Sequence, residues 1–286
     1  MTKGTETTSP AVRAALSVAG DAGYPVGDPR VVADSNHTIV WLRPHEIVAK
    51  VGRPSADGSM LREHLIGHAL GSVGAPIAPP VPGVAATRDA ETGLLVTLWQ
   101  RLEDAGEEEA DPTDVGKSLR QVHDALNSYT GELPSFFDWL ESSRTVLFDD
   151  DRMKALGPDD RSVLRSAFDA ITEELSSRPY RAHRIHGEPH GRNRLTTPKG
   201  VRWIDFEAAC IGPVEWDLAI IPEAALATFP RPDETFMELL RTLHSARTAA
   251  LCWARYDVPA LRWHAEFHLE RVRSRSHSSS GRLGRH

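Results

Sequence analysis

Apolar positions along the chain keep one kind of spacing in the first third and another afterwards. An Ala-rich stretch at 10–20 predicts a short helix. Two β-branched runs follow, HTIVWL at 37–42 and EIVAKVG at 46–52, separated by the turn-like Arg43-Pro44-His45, and they predict paired strands. From 57 to 71 the apolar residues and two histidines (Met60, Leu61, His64, Leu65, His68, Ala69) return at helical spacing. An extended proline-rich segment, APIAPPVPG, comes next, then strands at 84–88 and 94–99. Beyond Trp99 the period is helical. Asp111-Pro112 supplies an N-cap and a first-position proline, and Val115, Leu119, Val122 and Leu126 line one face behind it. Further helices are predicted at 135–148, 158–176, 232–255 and 259–273. The order is a β-rich first third and a mainly helical body carrying one hairpin-like insertion, an α+β arrangement.

Residues 185–217 break this rhythm. The stretch IHGEPHGRNRL holds two glycines and a proline among charged and imidazole side chains, which argues against a regular helix. Ten residues on, VRWIDFEAACIG reads as an apolar strand with Asp205 and Glu207 embedded. Strand period two would put both carboxylates on one face. That is costly in an apolar setting unless a positive group sits between them, and a divalent metal is the simplest such group.

Composition narrows the classes. The 286 residues are 40% hydrophobic and 26% charged, as expected of a soluble globular chain of one large or two closely joined domains. Two cysteines, Cys210 and Cys252, make no disulfide framework and suit a reducing cytosol. Neither a secretory leader nor a membrane span is legible, so a cytoplasmic location is expected. A pI near 6.0 argues against nucleic acid as a partner. The net charge of −7 is unevenly placed. Residues 1–102 carry nine acidic and nine basic residues, 103–270 carry 31 and 19, and 271–286 hold five Arg and no acid. The acidic run from Glu103 to Asp114 reads as a solvated loop and the last sixteen residues as a disordered basic tail.

The pieces also occur together in a known order. His186-Gly187-Glu188 with Asn193, then Ile204-Asp205-Phe206-Glu207, then Gly212 with Asp217-Leu218-Ala219, resembles the aminoglycoside phosphotransferase family, a branch of the protein-kinase-like fold. Lys50 in EIVAKV resembles the strand lysine of that fold, and Glu63, thirteen residues on in a helix, resembles the glutamate that holds it. The resemblance covers about 10–270. It implies a helix within 1–24, a nucleotide-binding lobe at 25–98 with an antiparallel sheet plus a helix, a hinge at 99–104 and a larger helical lobe at 105–270. It further implies Mg2+ held by Asn193 and Asp205, ATP or GTP as donor, and a base contacting backbone around Leu98, Trp99, Gln100 and Arg101. Glu207 is either a further metal contact or a hydrogen-bonded structural carboxylate. The partners implied are a nucleoside triphosphate and a small hydroxylated acceptor, an antibiotic or an amino alcohol or sugar, bound by a monomer or dimer. Asp217 and His186 would support the catalytic loop.

Glu188 stands where the family has aspartate. It would orient the acceptor hydroxyl and take its proton, but it reaches roughly 1.5 Å further, and a misplacement of about 1 Å can cost on the order of 10² in rate. The expectation is an active kinase; a nucleotide-binding module with impaired transfer is the alternative. There is no glycine-rich phosphate loop. Ser35 and Asn36 occupy its place, as phosphate contacts or as an ordinary turn. A zinc-hydrolase reading of His183, His186, His190 and Glu188 founders on Gly187 and Pro189, which deny the helix that such ligands need.

Overall fold

The computed structural model describes residues 9–105 and 110–280. The chain forms two compact units. The first takes residues up to Glu132 together with Glu188–Ala209 and Glu223–Thr228; the second takes Leu133–Gly187, Cys210–Pro222 and the chain from Phe229 onward. The division therefore does not fall at residue 98, because the helix Pro112–Asn127 and the segment from Glu188 to Ala209 group with the sheet.

In the first unit, β1 (Asp28–Asp34), β2 (Thr38–Arg43), β3 (Ile47–Val51), β4 (Thr87–Arg88) and β5 (Leu95–Gln100) form an antiparallel sheet in the order β1-β2-β3-β5-β4. The pleat sorts its residues. Ile47, Ala49 and Val51 pack with Val40, Leu42, Val96 and Leu98 against α1 (Pro10–Asp21), which contributes Val12, Ala14, Ala15, Val18 and Ala19. Lys50, one residue out of phase, is turned to the opposite face, where α2 (Asp57–Ser72) runs. Close approach of α2 to β5 rests on Gly67, where a Cβ would lie 2.7 Å from the Trp99 ring and 2.9 Å from Pro80. The unit is completed by α3 (Pro112–Asn127), capped by the Asp111 carboxylate as its sequence predicts, and by the hairpin of β7 (Arg194–Thr197) and β8 (Gly200–Trp203). The buried Trp203 indole of β8 donates to Ser118 Oγ on α3 at 3.0 Å.

The second unit is mainly helical. Helices α4 (Phe136–Phe148), α5 (Pro158–Ser177), α7 (Glu234–Trp253) and α8 (Pro259–Ser280) share a core built on Phe136, Leu140, Leu164, Phe168, Trp216, Leu240, Leu243 and Leu269. A two-stranded ribbon of β6 (Ala182–Ile185) and β9 (Cys210–Pro213) leads into the short α6 (Val214–Leu218).

Two expectations are corrected and one strand is added. Strand β1 was not predicted from the sequence. The basic tail is helical from Arg271 to Ser280 rather than disordered: Val272 is buried, Arg273 pairs with Asp160, and Arg275 donates to the Glu238 carbonyl at 2.8 Å. Residues 281–286, and Glu107, Glu108 and Glu109 of the acidic run, lie outside the described residues. The strand expected through Asp205 and Glu207 ends at Trp203.

Candidate active site

Asp205 breaks that strand by turning left-handed, with φ 66° and ψ 67°, and Phe206–Ala208 closes a single 3-10 turn. It is the one non-glycine residue at positive φ among the described residues. Aspartate tolerates this region better than most side chains, but at a cost of about 1–2 kcal/mol, a kind of strain that clusters at functional sites. The left-handed step, not strand alternation, brings Asp205 and Glu207 to one place. Arg62 of α2 fixes the turn by donating to the Glu207 carbonyl at 2.8 Å, and the Phe206 amide donates to Glu63 Oε1 at 3.2 Å.

Three carboxylates then converge on one ammonium. Lys50 Nζ lies 2.7 Å from Glu63, 3.0 Å from Asp205 and 2.6 Å from Glu207. Burial disfavours the charge on Lys50, yet these carboxylates outweigh it and raise its pKa above the ordinary lysine range. Burial pushes the Glu63 carboxyl up; Lys50 opposes that shift, while Asp205 and Glu207 reinforce it. Burial also pushes Glu207 up, but a 2.7 Å contact with His37 Nε2 and the Lys50 ammonium dominate and bring it down to about 2.

The carboxylates are not equally committed. Glu63 uses one oxygen for Lys50 and the other for the Phe206 amide. Glu207 meets Lys50 and His37 with Oε1 and accepts from Ser59 with Oε2 at 3.0 Å. Asp205 meets Lys50 through Oδ1 alone, and its side chain is 40% exposed. It is therefore the carboxylate best placed to accept a cation.

A hard divalent ion fits this donor set. Ligand oxygens of Glu63, Asp205 and Glu207 lie within 4.8 Å of one another, and three carboxylates against one ammonium leave two negative charges. Asn193 directs its amide nitrogen to the Glu188 carbonyl at 3.0 Å, leaving its own carbonyl oxygen as a candidate donor. Glu207, for which the sequence leaves a metal contact and a structural role both open, also meets His37, Lys50 and Ser59.

A sequence profile described as the APH phosphotransferase enzyme family matches residues 32–256, more than three quarters of the chain. The chain belongs to the phosphotransferase enzyme family. A search of curated proteins found no match. Solved structures agree on the fold. An amicoumacin kinase in complex with AMP-PNP, Ca2+ and Ami aligns with TM-score 0.67 at 12% identity, covering 90% of this chain and 92% of that one. An aminoglycoside 2′-phosphotransferase-IIIa in its GDP complex gives 0.66 at 14%, covering 93% and 99%. A microcompartment-associated aminopropanol kinase gives 0.68 at 17%, covering 93% and 98%. The protein-kinase-like fold expected from the motifs is thus present in this phosphotransferase, and among the described residues no helix is long and apolar enough to cross a membrane.

The remaining predicted positions separate. In the second unit, buried Asp217 accepts the His186 amide at 2.8 Å and the Gly187 amide at 2.9 Å, and the Trp216 indole donates to the Gly187 carbonyl at 2.6 Å. These contacts fix the backbone immediately before Glu188. Glu188 is half-buried, its carbonyl accepting from the His190 amide at 2.8 Å. Ser35 and Asn36 lie in the turn between β1 and β2, where the Ser35 carbonyl accepts from Arg53 at 3.1 Å. The amides of Gln100 and Arg101 are already used, on the Pro79 and Glu46 carbonyls, and the Trp99 indole donates to Thr97. The Arg101 guanidinium stacks 3.9 Å over Trp41. Base recognition at 99–101 therefore cannot use those two amides without breaking the sheet edge.

Sequence reasoning missed His37, Ser59 and Arg62, which meet Glu207 across long chain separations. His190, to which the sequence assigns no catalytic duty, has its pKa lowered by burial while the charges of Glu188 and Asp205 pull it up. That balance places the imidazole in the field of both carboxylates.

Proposed function

We propose that this phosphotransferase moves the γ-phosphoryl group of ATP or GTP to a hydroxyl of a small, amine-bearing acceptor. One observation carries the reading: a buried lysine held by three carboxylates, one of them on a strained left-handed aspartate with spare acceptor capacity. Family membership and the nucleotide complexes of the similar structures support a nucleoside triphosphate as donor.

Phosphoryl transfer asks the protein chiefly for alignment and charge neutralisation. Lys50, oriented by Glu63 and Glu207, would meet phosphate oxygens. Asp205 and Asn193 would hold Mg2+, which when bound neutralises charge on the β- and γ-phosphate oxygens. Glu188 would accept a hydrogen bond from the acceptor hydroxyl. As that oxygen bonds to the γ-phosphorus, the bond to the leaving diphosphate breaks and the hydroxyl proton passes to the Glu188 carboxylate. The excess of 31 acidic over 19 basic residues in 103–270 favours a cationic acceptor such as an aminoglycoside or an amino alcohol.

The test is a transfer screen of the purified protein with ATP and GTP against amine-bearing and neutral alcohols, run beside Glu188→Gln. Phosphorylated product from the wild type, reduced about 10²-fold or more in the variant with nucleotide affinity unchanged, is the expected outcome. Equal turnover in the two removes Glu188 from the mechanism. Nucleotide binding with no transfer to any alcohol supports the binding-module alternative.

A further inference from the structure

Helix α2 carries a second cluster of metal-ligating atoms on a different face from Glu63. His64 and His68 stand one helical turn apart, and their Nε2 atoms approach to 3.1 Å. The Val84 carbonyl oxygen lies 3.2 Å from the same His64 Nε2. His64 is 4% exposed, its ring packed edge-on against Trp99, while His68 is half-buried and opens the site to solvent.

Hydrogen bonding alone satisfies this arrangement poorly. One hydrogen on His64 Nε2 has to be shared between the Val84 oxygen and His68 Nε2. A metal ion satisfies it better. Ligand bonds of about 2.0–2.1 Å in tetrahedral geometry set neighbouring ligand atoms about 3.3 Å apart, close to both the N···N and the N···O separations. Two imidazoles and a carbonyl suit zinc or copper, whereas magnesium and calcium prefer oxygen-only shells.

We propose that His64, His68 and the Val84 carbonyl form a binding site for a late first-row divalent metal ion, Zn2+ or Cu2+, distinct from the carboxylate cluster around Lys50. Bound metal ties α2, and with it Glu63, to the chain at Val84. The site does not depend on the phosphotransferase reading, since it makes no use of nucleotide or acceptor.

The experiment uses the full chain stripped with chelator and titrated with Zn2+ in millimolar Mg2+ by calorimetry, for the wild type, His68→Gln and His45→Gln. His45 bonds the Pro25 carbonyl outside the pair and serves as the control. The wild type and His45→Gln are expected to bind one more equivalent of Zn2+ than His68→Gln. Zn2+ should also raise the melting temperature of the first two by several degrees and leave His68→Gln unmoved. Cu2+ should bind more tightly than Zn2+, and one equivalent on the wild type should give an electron paramagnetic resonance spectrum with coupling to imidazole nitrogen. Equal Zn2+ stoichiometry and affinity in His68→Gln and wild type overturns the site. So does a Cu2+ spectrum from oxygen ligands alone, which needs no variant to fold.

Discussion

Replacing Lys50 by methionine keeps much of its apolar stem and removes the one ammonium that faces Glu63, Asp205 and Glu207. At 2.6–3.0 Å and an effective dielectric near 20, each contact is worth about 6 kcal/mol by Coulomb's law. Loss of all three would far exceed the stability of a typical domain. That full cost cannot be realised, because a carboxylate escapes repulsion by taking up a proton. Protonating an ordinary glutamate at pH 7.5 costs about 4 kcal/mol, and at pH 5.5 about 1.5 kcal/mol. Proton uptake therefore caps the loss. The half-exposed Asp205 can relax toward water, so one or two carboxyls at most need neutralising.

Lys50→Met is accordingly expected to destabilise the protein by about 3–5 kcal/mol at pH 7.5 and to recover about half of that by pH 5.5. The sign follows from proton counting. In the variant the folded carboxyls bind protons that the unfolded ones, with pKa near 4.3, do not, so relative stability rises as pH falls between those values. Urea unfolding followed by tryptophan fluorescence at the two pH values, without divalent ions, measures it. The same difference from wild type at pH 7.5 and 5.5 would refute the reasoning, since it would mean that lost packing rather than uncompensated charge sets the cost.

Two further predictions concern the second unit. Asp217→Asn leaves one carbonyl oxygen to serve two buried amides, so it should cost about 2–4 kcal/mol in a denaturant melt. It should also lower kcat more than it changes nucleotide KM, because those amides set the backbone ahead of Glu188. Burial, with Arg271 and His264 beside it, holds His268 down at about 4. The folded protein thus refuses a proton that the unfolded chain accepts, and stability falls as pH drops from about 6.5 to 4, by up to about 3 kcal/mol. His268→Phe should flatten that part of the stability–pH curve; an unchanged slope would assign it to other groups.

Much of this was legible because its causes are local. Asp111-Pro112, the Ser135–Asp138 capping box and Asp233 mark helix starts by side-chain bonds to nearby amides, and each start is found within two residues of its predicted place. Lys50 and Glu63 could be paired because strand and helix are consecutive and the family order is kept. Strand β1 escaped notice because it is an exposed edge carrying Pro29, with a bulge between Val31 and Ala33, so it shows no clean alternation. The left-handed turn at Asp205 overrode an apolar run that reads as strand. The Arg/Ser-rich end of α8 lacks a strong helical signal and is held by Asp160, Glu238 and Thr242, distant residues that no local pattern announces. His37 and Ser59 were invisible for the same reason: their partner, Glu207, lies about 170 and 150 residues on, respectively.

The most direct test is single-turnover transfer of a γ-labelled phosphate from ATP or GTP to an amine-bearing alcohol, comparing the wild type with Asp205→Asn in the presence of Mg2+. The account predicts label covalently attached to the acceptor with the wild type and a loss of about 10³-fold or more in the variant, since Asp205 is the carboxylate free to hold the ion. Undiminished transfer by Asp205→Asn would contradict it.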